Sequence, residues 1–418
     1  MNNFNLLGLR SITYTIDIEK ISKIEYQQRV EKDLLYIKQK FTDEKVFLRT
    51  LRLNTLKISP KERLDQHVFL NKIKILNEFS TKIGIRWFNV SFDLLNQDEK
   101  NVINIGKLGY EIIKRYSNSF INFIVGDGEN VNPFAALTAS KTILDISKLS
   151  FNGYDNFRVG VSLNPSNNTP FFPFSYAEKD LNFSLAVEIT ERFIDCIKSN
   201  TKSISDLDQL KTIIFNDLSP FVVFLDKISN EISNEIDVNY GGQDLSLAPF
   251  PEDEISVVEI LHLLGVDDIG SNGTLFFTSY LTGIIKSLTI QNNAKSAGFN
   301  GVMYSLLEDH LMCKSNNKKL LSIDKIIGYS TLCGCGLDMV PVAGNLLVEE
   351  LASIVLDIAS TASKLKKPLG FRVLPIPNKL TNEFTEFDMD FLTNTRVMDL
   401  KQLSISNALF DSTNIKLK

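Results

Sequence analysis

The chain has 418 residues, of which 44% are hydrophobic and 23% are charged, a balance typical of a globular protein with a large buried core. Its formal net charge is -5 at pH 7, and its densest basic stretch, residues 364–367, fits a solvated helix end, so we expect no nucleic-acid partner. The sequence has no run of about 18 consecutive apolar residues, and we expect no membrane span. Residues 1–5 lack the features of a signal peptide, and four cysteines make no disulfide framework, which predicts reduced thiols and a cytoplasmic location.

In the first part of the chain, strand-like runs rich in β-branched and aromatic residues alternate with helical patterns. The second predicted helix begins at Ser59-Pro60, because serine can cap a helix and proline suits the first helical position. The five predicted strands are residues 9–18, 46–53, 86–92, 119–125 and 157–163. The predicted helices are residues 21–40, 60–82, 97–116 and 133–149.

The middle of the chain differs, because two helical patterns follow each other there with no strand predicted between them. We interpret these patterns, residues 177–200 and 203–233, as an inserted helical hairpin behind a loop rich in proline and phenylalanine at 164–175. Alternation then resumes, with predicted strands at residues 238–247, 301–306, 337–342, 370–376 and 395–400, and helices at 254–264, 274–292 and 346–366. Such alternation indicates parallel strands with helices outside, and each half of the chain has five predicted strands.

A glycine-dense segment, Cys333-Gly334-Cys335-Gly336-Leu337-Asp338, is the most unusual motif of the sequence. Two glycines alternating with two cysteines suit neither a stable helix nor a well-packed strand, so we predict an ordered loop with reduced thiols at or near the interior. The loop fits a thiol active site, a soft-metal chelate or a structural turn. Because the sequence offers no second cysteine pair, we predict no metal site.

Two groups of carboxylates are candidates for chemistry. Glu308 and Asp309 follow a short predicted strand, and the carboxyl ends of parallel strands are where α/β folds place their sites. The two residues fit a general base or oxygen ligands for a hard cation, and equally the cap of a turn. Asp244 lies beside a glycine pair in a segment predicted to be a bulged strand, and its role stays open.

Three arginines, Arg10, Arg86 and Arg372, each lie in a strand-like segment otherwise rich in apolar residues. Since buried arginine is rare unless it is paired, each is expected to pair with a carboxylate or to hold an anionic substrate in a bidentate fork. The sequence lacks the glycine-rich dinucleotide and phosphate-loop motifs and the zinc-protease motif.

Several of these segments, in this order, resemble the family called domain of unknown function seven-one-one, also named the PFL family. The matching stretches are residues 9–13, 244–249, 298–301, 308–309, 333–341 and 368–377. That family is grouped by fold with glycyl-radical enzymes such as pyruvate formate-lyase. The resemblance therefore implies one α/β domain over residues 1–418, a ten-stranded formate-lyase-like barrel with five-stranded halves at about 1–165 and 237–418 and the helical hairpin at about 177–233 between them.

The resemblance does not extend to glycyl-radical chemistry. Such enzymes need a glycine in an Arg-Val-X-Gly loop, because an α-carbon radical is favoured where no side chain obstructs planarity. The nearest string here, residues 396–400, has Asp399 in that position. We also expect residues 401–418 to be too few for a separate radical domain. The prediction is that no radical and no activating partner is needed.

Two functional hypotheses follow. In the first, the protein is a radical-independent enzyme or a binder for a small anionic metabolite, held by Arg10, Arg86 and Arg372. Its candidate catalytic residues are Cys333, Cys335, Glu308, Asp309, Asp244 and Asp338. In the second, the protein is a non-catalytic metabolite sensor or a scaffold that assembles as a homo-oligomer. Convergent carboxylates near a thiol would favour the first hypothesis and a wholly apolar interior the second, while the cofactor stays unknown.

Overall fold

The computed structural model describes residues 6–60, 64–400 and 410–417. Its fold is α/β, and its strands form one sheet with both parallel and antiparallel pairs. The predictions made for residues 1–5 and for most of the tail 401–418 lie outside the described residues. The described strands are β1 (Gly8–Ile16), β2 (Phe47–Leu48), β3 (Leu51–Thr55), β4 (Trp87–Asp93), β5 (Ser119–Gly126), β6 (Asn130–Val131), β7 (Val159–Leu163), β8 (Asn182–Glu188), β9 (Asn239–Asp244), β10 (Gly336–Ala343), β11 (Leu369–Ile376) and β12 (Ile415–Lys416).

The sheet has a central parallel block with a pair of strands at each side. Its order is β10-β11-β7-β5-β4-β3-β1-β8-β9, with the short β2, β6 and β12 off this path. Strands β1, β3, β4, β5 and β7 run parallel, whereas β8 is antiparallel to β1 and β11 is antiparallel to β7. The flanking pairs β8–β9 and β10–β11 are each parallel within themselves. Four of the five predicted strands of the first half are confirmed within a few residues as β1, β4, β5 and β7, whereas the predicted strand 46–53 is divided between β2 and β3.

Helices connect the strands and bury their apolar faces against them. In the helix at Glu99–Arg115, for example, Val102, Ile105, Leu108 and Ile112 are buried at helical spacing while both ends carry charge. The described helices are α1 (Ile24–Asp43), α2 (Gln66–Lys82), α3 (Glu99–Arg115), α4 (Pro133–Ser147), α5 (Thr190–Ser199), α6 (Leu207–Ile236), α7 (Val257–Leu263), α8 (Thr274–Gln291), α9 (His310–Asn317), α10 (Ile323–Ser330) and α11 (Val348–Leu365). No helix in the described parts of the chain combines the length and apolar character that crossing a membrane requires.

The start of α2 was predicted wrongly. Its cap is Asp65, whose carboxylate accepts a hydrogen bond from the Val68 amide at 3.0 Å, and the helix begins at Gln66 rather than at Pro60. The Ser59 hydroxyl instead donates to Asp93 at 3.0 Å. Aspartate caps as well as serine does, so the sequence offered two caps within seven residues and the later one is used.

The prediction of a helical hairpin over 177–233 is also wrong at its first end. Residues Asn182–Glu188 form β8, which pairs with β1 and β9 in the sheet, so only α5 and α6 remain of the hairpin. Six of the seven residues of β8 are buried, so the strand lacks the simple in-out alternation that would have revealed it. A strand buried on both faces is difficult to distinguish from a helix by period alone.

Two other predicted strands are absent from the described residues, and the count of ten is wrong. Residues 301–306 and 395–400 make only isolated bridges, and the described sheet has twelve strands and does not close. Isolated parallel bridges at Gln243–Ser296, Leu247–Val302 and Ser305–Asp338 nevertheless connect residues 296–305 with the segment of β9 and with β10, which are the two end strands.

Candidate functional site

A cavity with a volume of about 580 Å³ lies at the amino ends of the parallel block. Arg10, Arg52, Trp87 and Phe120 reach it from the first residues of β1, β3, β4 and β5. This is the opposite end from the carboxyl edge at which the sequence predicted a site. Aromatic rings form much of its wall, from Phe47, Trp87, Phe120, Phe157, Phe171, Phe172, Phe174, Phe250 and Phe391. Its charged lining consists of Arg10, Lys38, Arg49, Arg52, Arg86, Arg372, Glu252, Glu308 and Asp338.

Arg52 is a buried charged residue of this cavity. It is only 7% exposed, and among the described residues it makes no hydrogen bond or ion pair; its Nε is buried without an acceptor. The guanidinium lies 5.2 Å from the ring centres of both Trp87 and Phe172. Burial lowers the pKa of Arg52 to about 9, helped by the positive charges of Arg10 and Arg86, so the side chain remains cationic at neutral pH.

Two further arginines flank Arg52. Arg10 is half-buried and donates to the carbonyl oxygen of Pro249 at 2.8 Å, with its guanidinium 5.1 Å from the Phe250 ring. Arg86 is exposed, precedes β4 and lies 4.3 Å from the Trp87 ring. Neither pairs with a described carboxylate. These two predicted binding residues therefore do lie at one cavity, together with the third, Arg372.

The opposite wall contains a closed ion-pair cluster. Arg372 on β11 donates to Asp338 on β10 through Nε at 2.6 Å and Nη2 at 2.9 Å, and Nη2 also contacts Glu308 at 3.1 Å. Burial raises the pKa of Asp338, and Arg372 opposes that shift. Gly336 allows β10 to pair closely with β11 at this point. Its φ is +94°, and a β-carbon there would lie 2.2 Å from the Gly370 carbonyl oxygen, so no other residue fits.

The remaining predicted carboxylates, Asp309 and Asp244, lie outside the lining of this cavity. Asp309 caps α9 and also accepts hydrogen bonds from Ser256 and from the first amides of α7, so that it fixes two helix ends. Asp244 accepts hydrogen bonds from the amides of Ser246, Phe299 and Asn300 and is fully buried. Burial raises the pKa of both carboxylates. Neither lines the cavity, so their proposed catalytic roles find no support in the geometry.

Cys333 and Cys335 are buried, and both thiols are free, in an ordered turn that leads into β10. The interaction between the two neighbouring thiols lowers the pKa of Cys333 and raises that of Cys335. Cys335 belongs to the same buried hydrophobic cluster as Phe174 and Met303, which line the cavity. No group of three or more histidine, cysteine or acidic side chains in the described chain is arranged to hold a metal ion.

Arg52 is a cavity residue that the sequence-based predictions do not include, although the same signal is present there as at the other arginines. Arg52 stands between Leu51 and Leu53 in a strand, as Arg10 and Arg372 stand among apolar residues in theirs. The aromatic loop at 164–175 was noted but not assigned to a site, and it supplies Phe171, Phe172 and Phe174.

Comparison with known proteins gives the family of the chain. The model of the family described as "Uncharacterised ACR (DUF711)" matches residues 1–394. The chain belongs to this family. A UPF0210 protein of Pyrobaculum arsenaticum is 26% identical over 241 residues, which cover 56% of this chain and 53% of the relative. One from Clostridium botulinum is 25% identical over 268 residues, 64% of this chain and 57% of the relative, and one from Lactobacillus delbrueckii is 31% identical over 160 residues, 38% and 36%.

Membership of the DUF711 family is thus established, and it carries no activity with it. The chain spans about half or less of the length of these curated relatives, and their names state no substrate or reaction. The function of this DUF711 protein has to be argued from the cavity itself.

Proposed function

We propose that the protein binds a small organic anion in the cavity and that Arg52 holds its negative group. The observation that carries this proposal is a buried guanidinium with no partner among the described residues. Taking a charge out of water without pairing it is costly, and native proteins retain such groups mainly at functional sites. An anion in the cavity would supply the missing acceptors, and the planar guanidinium suits a carboxylate or phosphate in two parallel hydrogen bonds.

The lining also restricts the rest of the ligand. Arg52 lies between Trp87 and Phe172, and rings from several other elements complete the wall. Cavities of this size that are mainly apolar with a few polar groups bind compact organic molecules. The ligand class that fits is a carboxylate or phosphate with a flat apolar body.

We propose that any chemistry is independent of a glycyl radical and takes place at the cluster of Glu308, Asp338 and Arg372. Support comes from their position in the cavity lining, and Cys335 shares a hydrophobic cluster with two other lining residues, Phe174 and Met303. The alternative is a protein that binds the anion without converting it, as a sensor or scaffold. Incubation of the bound anion with the protein, followed by mass spectrometry of the small molecules, distinguishes the two.

The binding proposal is tested by titrating phosphate, benzoate and phenylacetate into the protein and into Arg52→Met by isothermal calorimetry. We expect at least one anion to bind the wild type and to lose about tenfold or more in affinity in the variant, since one charge-assisted contact is worth about 1.5–3 kcal/mol. Arg158→Lys, away from the cavity, is the control. Equal binding by wild type and Arg52→Met would refute the proposal.

A relation in fold to the formate-lyase barrels is likewise our proposal. The bridges that link residues 296–305 to both end strands support it. A single domain over residues 1–418, a homo-oligomer and a cytoplasmic location stay predictions. Light scattering during size-exclusion chromatography tests the oligomer.

A further inference from the structure

We propose that Glu308 selects an anion that also carries a hydrogen-bond donor, a hydroxyl or an ammonium group, close to its negative group. This inference rests on the proposed function, because it concerns a second contact to the ligand that Arg52 holds. It assigns to the ligand the class of hydroxy or amino acids rather than simple carboxylates.

The Glu308 carboxylate is held by one oxygen only. Its Oε2 accepts a hydrogen bond from the Ser305 hydroxyl and contacts Arg372 Nη2 at 3.1 Å. Its Oε1 makes no hydrogen bond with any described residue, and the side chain is 15% exposed and lines the cavity. The neighbouring Asp338 differs, because both of its oxygens accept from Arg372 and its side chain is 2% exposed.

The free oxygen is therefore a fixed acceptor beside the place where an anion would bind. Ser305 and Arg372 hold the carboxylate in position, so the acceptor is preorganised before a ligand enters. Its charge also acts on Arg52 across the cavity. A ligand with a negative group alone leaves Oε1 facing an anion without a donor, whereas a ligand with a donor satisfies it. The site would therefore discriminate against anions without a donor, because repulsion by Glu308 weakens their binding.

Three matched series of probes test the inference on the full chain by calorimetry. Each series keeps the carbon skeleton and changes one substituent from hydrogen to hydroxyl to ammonium. The series are acetate, glycolate and glycine; phenylacetate, mandelate and phenylglycine; and 3-phenylpropanoate, 3-phenyllactate and phenylalanine. In at least one series we expect a donor-bearing member to bind about tenfold more tightly than its parent, the value of a hydrogen bond to a charged group.

Glu308→Gln is the matched variant, because it keeps the shape of the side chain. Ser305 and Arg372 both donate to the Oε2 position and should orient the amide oxygen there, which leaves the amide NH₂ at the free position. The advantage of the ammonium member should then disappear or reverse, while the parent anion binds at least as well as before. Circular dichroism and thermal melting verify that the variant is folded.

The outcomes separate this inference from the one on which it rests. If parent anions bind through Arg52 but all three members of every series bind equally, the role of Glu308 is refuted and the anion site stands. If the advantage of the donor survives in Glu308→Gln for the ammonium members, Glu308 is again not the acceptor. If no member of any series binds, the anion site itself is refuted.

Discussion

Arg52 and Arg158 are two buried arginines with different surroundings. The two are similarly buried, at 7% and 4% exposure. Arg158 donates to the carbonyl oxygens of Tyr116 at 2.8 Å and Ile113 at 3.1 Å and pairs with Asp155. Arg52 has none of these partners within the described chain and faces a cavity. Burial is therefore common to both arginines, and the absence of hydrogen-bond partners is what sets Arg52 apart and motivates the proposal that it binds an anion.

Arg396 and Arg372 agree with Arg158. Arg396 is 7% exposed and donates to the backbone and side-chain oxygens of Asn316 at 3.1 and 3.0 Å. Arg372 is satisfied by Asp338 and Glu308. Three of these four buried arginines thus have hydrogen-bond partners, whereas Arg52 has none among the described residues.

The largest change in the free energy of unfolding that we expect comes from breaking the ion-pair cluster of Arg372, Asp338 and Glu308. Arg372→Met removes the cation that pairs with Asp338 and Glu308 and leaves their charge uncompensated in the wall. Breaking a buried pair in this way typically costs about 3–5 kcal/mol. Urea denaturation of the variant should show a loss of unfolding free energy of this order. A loss below about 1 kcal/mol would mean that the cluster does not stabilise the fold.

Arg52→Met should act in the opposite direction. It removes a charge whose desolvation is uncompensated and substitutes an apolar chain of similar length among aromatic rings, so the free energy of unfolding should rise by about 1–3 kcal/mol. Arg158→Met is the matched control at similar burial and should destabilise the protein. Opposite signs for these two variants in one denaturation series confirm the contrast; two losses of similar size contradict it.

The sequence predicts a strand well where the residues of that strand determine its structure, and poorly where pairing with a distant segment determines it. The strands β1, β4 and β5 are confirmed because runs of β-branched and aromatic residues determine a strand without distant information. β8 is not predicted, because Asn-Phe-Ser-Leu-Ala-Val-Glu contains residues that suit helix and strand equally. Its state is decided by pairing with β1, which is far away in the sequence.

Some features of the cavity could likewise be predicted from the sequence, and others could not. The apolar surroundings of Arg10, Arg86 and Arg372 in the sequence predicted that each pairs with a carboxylate or holds an anion, and all three line one cavity. Which arginine has a partner was not accessible, because the carboxylate that pairs with Arg372 is 34 residues away and no sequence pattern states that Arg52 lacks one. Asp244 and Asp309 looked catalytic because the sequence shows a carboxylate but not the backbone amides that it accepts from.

A pH titration sharpens the contrast further. Burial lowers the pKa of Arg52 to about 9, and a bound anion favours the charged form and raises it. Affinity for phenylacetate should therefore be constant between about pH 6 and 8 and fall by up to about tenfold per pH unit above pH 9. The stability of the unliganded protein should change with pH in the opposite direction. The unfolded chain keeps the Arg52 proton to a higher pH than the folded protein does, so the contribution of Arg52 to the free energy of unfolding becomes more favourable as the pH rises above 9.

Calorimetric titrations of phenylacetate from pH 6 to 11 measure this profile. Arg52→Met is the control for other titrating groups around the cavity, because it retains Arg10, Arg86, Glu308 and Arg372, the charges that act on Arg52. A fall above pH 9 that persists unchanged in the variant would assign the profile to another residue.

The smallest expected effect belongs to Arg86, which is unpaired by a carboxylate, as Arg52 is, but exposed to solvent. Water already solvates its guanidinium, so Arg86→Met should leave the melting temperature nearly unchanged. It should weaken anion binding only a few-fold at about 20 mM salt, and the difference should vanish near 0.5 M salt, because exposed charges are screened within a few ångströms there. The loss in Arg52→Met should persist at both salt concentrations, since a buried contact is screened far less. If anion binding by the two variants depended on salt in the same way, burial would not explain the difference between Arg52 and Arg86. The lack of a carboxylate partner, which both arginines share, would then determine their contribution to anion binding.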